Sequence, residues 1–210
     1  MFSIIQAAGW PIWPLIACSI LALALIIERF LSLKTAKVAP PQLLDEVLAA
    51  TRTSVPGTDV IEQLEKNSAL GELLASALRA KQAQPDISKD ELHAAMESSG
   101  RAITHRLERY LSALATIASV APLMGLFGTV IGMIEIFGSQ SPGGAGGANP
   151  AQLAHGISIA LYNTAFGLII AIPALIFWRY FRASVDEYLL TLELAGERLL
   201  QHLISLRNAS

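Results

Sequence analysis

Three stretches without a single charged side chain, 1–27, 111–134 and 157–178, constrain this chain more than anything else in it. Each is longer than the roughly 20 residues that cross the hydrocarbon core of a bilayer. Lipid offers backbone amides and carbonyls no water to bond, so such a segment has to be an α-helix. The expectation is an all-α membrane protein with three transmembrane helices. The overall balance agrees, with 53% hydrophobic and 15% charged residues, where a soluble domain carries about 25% charged.

The basic residues predict the orientation. All 15 lysines and arginines fall within 29–109 or 179–207, and 138–154 has none. The positive-inside rule then puts the N-terminus outside and the C-terminus inside. Residues 1–6 lack the basic start of a cleaved signal peptide, so the first apolar segment reads as a retained anchor. The resulting plan has the outer N-terminus and first span at 1–33 and a cytoplasmic helical loop at 34–110. The second span follows at 111–137, then a periplasmic loop at 138–153 containing SQSPGGAGGANP. The third span takes 154–180 and a cytoplasmic C-terminal helix 181–210.

Helical spacing continues beyond the membrane. Apolar residues recur at Leu43, Leu44, Val47 and Leu48, and again at Leu70, Leu73, Leu74, Ala77 and Leu78. The run SKDE from Ser88 to Glu91 is a capping box that starts a helix. From there no Gly-Pro break intervenes, which predicts one helix over 89–137, about 70 Å long, with Gly100 as its weak point and a kink at Pro122. Past the third span, Val185, Leu189, Leu192, Gly196, Leu199, Leu203 and Leu206 form a seam at steps of three and four. That seam suits either packing within the chain or contact with another copy.

Small and polar residues line one face of each of the last two spans. In the second these are Ala118, Ala121, Pro122, Gly125, Gly128, Thr129, Gly132 and Glu135; in the third, Gly156, Ala160, Asn163, Thr164, Gly167, Ala171 and Ala174. Gly125, Gly128, Gly132 and Gly167, with Pro122 and Pro173, are expected to allow close helix packing. Thr129, Asn163 and Thr164 are candidates for lining a hydrated ion path, with Ser158 as a further candidate and Glu135 at its outer mouth. Proton transfer through lipid needs a group that takes up and releases a proton. No carboxylate or histidine occupies the middle of any span. A proton-conducting role would therefore take its carboxylate from another polypeptide.

Other chemistry finds no support. There is no Walker loop, HExxH or GxSxG motif, and no Cys/His cluster with metal-ligand spacing. The net charge of −2 is uninformative about a nucleic-acid partner, but there is no basic run of the kind that phosphate binding needs. Cys18 is alone, so no disulfide framework is expected. Neither an enzyme, a cofactor nor a metal is predicted.

The runs APLMGLFGTVIGMIEIF and GISIALYNTAFGLIIAIPALI, with ERF closing the first span, resemble the MotA/TolQ/ExbB proton-channel family, the ExbB and TolQ branches above all. The resemblance implies a subunit of a bacterial inner-membrane motor driven by the proton motive force. It implies a pentamer whose second and third helices surround an ExbD- or TolR-like partner bearing a membrane aspartate. A TonB- or TolA-like protein would receive the motion, for outer-membrane transport or envelope integrity. The family's pore threonines correspond to Thr129 and Thr164. Where ExbB and TolQ commonly carry a glutamate, this chain has Ile159. The competing expectation is a passive oligomeric scaffold in the lipid that conducts no ions.

Overall fold

The computed structural model describes residues 10–52, 56–138 and 150–209, and among them every regular element is a helix. These are α1 (Ile12–Ser32), α2 (Thr35–Val38), α3 (Leu43–Thr51), α4 (Thr58–Asn67), α5 (Ala69–Ala83), α6 (Lys89–Glu108), α7 (Leu111–Gly138) and α8 (Pro150–Ala209). Residues 139–149 of the expected periplasmic loop lie outside the described residues, as do the first nine, while 138 and 150–153 of that loop are helical. Three helices are long and apolar enough to cross a membrane, one near the N-terminus and two later in the chain. The protein is an all-α membrane protein with three transmembrane helices.

The chain divides into two compact units. An apolar unit comprises Met1–Glu28 and Tyr110–Tyr180; a polar unit comprises Arg29–Arg109 and Phe181–Ser210. The helix α8 contributes its first part to the apolar unit and its last part to the polar one.

The polar unit is built on α5, whose Leu70, Leu73, Leu74, Ala77 and Leu78 are all buried at the predicted spacing. Against it pack α4 and α6. The C-terminal seam is used within the chain. Val185, Leu192, Leu199 and Leu203 are buried, and Gly196 sits so close to α6 that a Cβ there would lie 2.9 Å from Met96 Cε. Phe30 and Phe181 meet edge to face at 5.0 Å. Tyr188 donates its hydroxyl to the Leu33 carbonyl at 3.0 Å. The helix α4 has no counterpart in the sequence expectations. Its run TDVIEQLEKN buries only Ile61 fully, and its apolar residues are few, Val60, Ile61 and Leu64.

The capping box forms as expected. Ser88 Oγ accepts from the Glu91 amide at 3.2 Å, and the Ser88 amide donates to Glu91 Oε2 at 3.0 Å. The Ser88 hydroxyl, and after it the Ser88 backbone N–H, hold the Glu91 carboxyl below its ordinary value of 4.5. A carboxylate with a depressed folded value stabilises the fold above its unfolded value and loses that effect as pH falls through the folded one. Ser88→Ala is expected to lower the thermal midpoint at pH 7 by about 2–4 °C. Repeated at several pH values, the melt should show the gap to the parent narrowing below pH 4.5, where Glu91 takes up its proton.

One expectation needs correcting. The helix predicted over 89–137 is interrupted, neither at Gly100 nor at Pro122 but between α6 and α7. Arg109 leaves helical geometry at ψ 137°, and Tyr110 adopts φ 69°, a left-handed conformation that normally favours glycine. The freed end of α6 has a substitute partner, because Arg29, 3% exposed, donates from Nη1 to the Leu107 carbonyl at 2.9 Å. A guanidinium at a helix C-terminus also meets the negative end of its dipole. The helix α7 runs on through Pro122, and α8 through Pro173.

Candidate functional site

Within the apolar unit, α7 and α8 run antiparallel in direct backbone contact, and glycine permits it. A Cβ on Gly167 would lie 2.6 Å from the Ala121 carbonyl oxygen and 3.2 Å from Gly125 Cα. One on Gly125 would meet the Asn163 carbonyl oxygen at 2.7 Å, and one on Gly132 the Ala160 Cβ at 3.2 Å. Gly125, Gly128 and Gly167 are buried, and Gly132 is half-buried. Pro122 is half-buried and Pro173 exposed.

The same interface takes in Asn163. Only 2% of its surface is exposed. A Cβ on Gly128 would fall 2.9 Å from Asn163 Cβ and Nδ2. The asparagine therefore fills the space that the glycine leaves, inside the helix pair.

Thr129 follows Gly128 by one residue, and Thr164 follows Asn163 by one. A step of one residue turns an α-helix by about 100°. Seen from one end, antiparallel helices wind in opposite senses, so these two steps turn both threonines to the same side of the pair. Each moves about 1.5 Å along its own helix, in opposite directions, leaving the two within about 3 Å of the same level. Both are half-buried. Thr129 Oγ1 donates to the Leu126 carbonyl at 2.6 Å, which leaves its lone pairs to accept.

The first span lies on the other side. Leu15 of α1 packs with Ala121 and Ala171, and against Met124, Phe166 and Ile170, which point away from the threonines by the same helical arithmetic. The threonine side of α7 and α8 is thus not covered by α1. It presents Leu126, Leu161, Leu168 and Leu175, each more than 40% exposed, around the two hydroxyls. Ser158 and Glu135 are exposed and fall off this face. The side chains of His155 and Ile159 lie outside the described residues.

What the sequence brought forward as one small-residue stripe per helix thus divides in two. Ala118, Ala121, Gly125 and Gly128 face Ala160, Asn163, Gly167 and Ala171 as a buried seam, and the threonines stand at its edge. Their chemistry is that of hydroxyls in an apolar setting, able to accept and to pass on a hydrogen bond. Among the described residues no group of three or more His, Cys, Asp or Glu could hold a metal. In the polar unit a cleft of about 560 Å³ is floored by Leu73, Met96, Gly100 and Gly196. Its rim carries charges of both signs, among which Arg101 pairs with Glu97 at 2.7 Å.

Comparison with known proteins follows the same elements. A model of the MotA/TolQ/ExbB proton channel family matches residues 65–194, a stretch that includes all of α7 and the whole contact with α8. The biopolymer transport protein ExbB-like 3 of Synechocystis sp. is 34% identical over 195 residues, covering 91% of this chain and 90% of that protein. The biopolymer transport protein exbB1 of Vibrio cholerae is 30% identical over 172 residues, 80% of this chain and 73% of its own. The Tol-Pal system protein TolQ of Haemophilus influenzae is 41% identical over 99 residues, 46% of this chain and 42% of its own. With the glycine seam, the threonine pair and the three spans all lying within these matches or beside them, the chain belongs to the MotA/TolQ/ExbB proton channel family, on its ExbB/TolQ side.

Proposed function

We propose that this chain is the multi-span subunit of an inner-membrane motor driven by the proton motive force, with its N-terminus outside and its polar unit in the cytoplasm. Several copies, five by family resemblance, surround a core. The face that carries Thr129 and Thr164 looks inward, while α1 looks out to lipid. A single-span partner of the ExbD or TolR kind sits in that core and brings the carboxylate that this chain lacks. Motion of the assembly then passes to a TonB- or TolA-like protein.

One observation carries this reading: two hydroxyls at nearly one level on the side of the helix pair that α1 leaves open, in spans with no central titratable group of their own. Apolar packing alone asks for no hydroxyls on an exposed face, whereas a carboxylic acid arriving from a neighbour needs hydrogen-bonding partners there. The lipid-like leucines around them would keep bulk water scarce, which strengthens any hydrogen bond the acid makes.

The test is replacement of both threonines by valine, which keeps their shape. Proteoliposomes containing the chain and its co-purified partner should lose proton flux at least tenfold, with the assembly's mass unchanged. Replacement by serine should retain most of it. Unchanged flux in the valine variant would leave the passive scaffold as the better description.

A further inference from the structure

We infer that Asn163 is a positioning residue that fixes the rotation of α8 about its own axis and so keeps Thr164 level with Thr129 on the open face; this rests on the proposed ion path. The small residues of the seam set how closely the two helices approach. Gly125, Gly128 and Gly132 on α7 and Ala160, Gly167 and Ala171 on α8 bring the backbones together, but none of them carries a side chain long enough to lock into the helix opposite. Asn163 differs from all of them in being larger and polar. Its amide is enclosed at the Gly128 hole, with 2% of the residue exposed, and would be costly where it faced hydrocarbon. A turn of one residue, about 100°, would carry it out of the seam. The same turn would carry Thr164 away from Thr129.

The position of the asparagine one residue before the threonine makes this coupling strict. No side chain of Thr164 itself needs to be held, because the neighbouring residue sets the angle of the whole helix. The glycine opposite is the complementary half: a methyl at Gly128 would crowd the Asn163 side chain at 2.9–3.0 Å.

Disulfide trapping reads the rotation without reference to transport. In a Cys18→Ala background, cysteines replacing Gly132 and Ala160 start from Cβ positions 3.2 Å apart, a few tenths of an ångström short of a disulfide's usual range. They should cross-link readily in the full chain in liposomes. Cysteines at Gly132 and Leu161, one residue round, should not. With Asn163→Ala, the 132–160 yield is expected to fall at least threefold while the 132–161 product appears, and proton flux falls with it. Asn163→Ser, which keeps a polar group, should restore the parent pattern.

Should Asn163→Ala not assemble, Gly128→Ala provides the second measurement. It should disturb the same pair, because the added methyl fills the space in which Asn163 seats. An unchanged cross-linking pattern in both single variants overturns the inference. If flux falls while the pattern holds, Asn163 belongs to the ion path and the inference is likewise overturned. If the pattern shifts while flux holds, the positioning role stands and it is the threonine path that fails.

Discussion

Gly167→Leu should cost the apolar unit its tightest contact and lower the thermal midpoint in detergent by about 10 °C. The reason lies in backbone geometry. Even a methyl at this position would be 2.6 Å from the Ala121 carbonyl oxygen, and that oxygen belongs to the helix main chain and cannot swing aside. The helices α7 and α8 must separate instead. Separation also loosens the close approach to Gly125, whose Cα the same methyl would meet at 3.2 Å, and the Leu15 cluster that depends on Ala121 and Ala171. Overpacking a tight site typically costs about 1–3 kcal/mol for small groups and more for larger ones. At about 2–4 °C per kcal/mol for a chain of this size, Gly167→Ala should fall between the parent and the leucine variant. Ile169→Ala, at a residue 64% exposed on the same helix, should melt within about 2 °C of the parent. A leucine variant that does so as well would show that the close approach contributes nothing.

Gly71→Ala should be the most damaging single methyl in the polar unit. The added Cβ would lie 2.1 Å from the Leu64 carbonyl oxygen and 3.1 Å from its carbon. Here too the obstacle is main chain, where α4 crosses the start of α5. The Ser68 cap sits in the same corner, accepting from the Gly71 amide at 3.0 Å, so moving either helix also strains the cap. A loss of about 3 kcal/mol is expected. Hydrogen exchange in the full-length protein would read it directly: amides of α4 and the first turns of α5 should exchange about 100-fold faster, while those of α7 keep their protection. Unchanged exchange in α4 would mean that the crossing can relax without cost.

Both substitutions act at glycines, yet only one was visible in the amino-acid sequence. Gly167 stands in a run where small residues recur at every turn of an apolar helix, and lipid gives such a pattern few other uses. Gly71 is one small residue in a polar helix, and nothing nearby reveals that another backbone crosses over it. A similar division runs through the fold. The three spans were legible because hydrocarbon permits one solution. The buried face of α5 and the Ser88 cap were legible because each is a short-range pattern with a single geometric meaning.

The interruption at Arg109 and Tyr110 was not legible, since neither residue is a helix breaker and the local sequence favours continuation. What holds it is Arg29, 78 positions before the carbonyl it bonds. Local reading has no access to a partner so distant. The division of the small-residue stripe into a buried seam and an open edge was likewise hidden. Periodicity names the residues on one side of a helix, but only the direction and depth of the neighbouring helix decide which of them touch.

The short bond from Thr129 to the Leu126 carbonyl has a bearing on what may approach that oxygen. While its own hydrogen is engaged there, the oxygen keeps its lone pairs for a visitor. An acid that still holds its proton can donate into them with the intrahelical bond intact. Once ionised, the same acid gains a bond only if the hydroxyl turns its hydrogen away from the Leu126 carbonyl. A single intrahelical bond would then make the charged and uncharged forms of a passing carboxyl group call for two different settings of one hydroxyl.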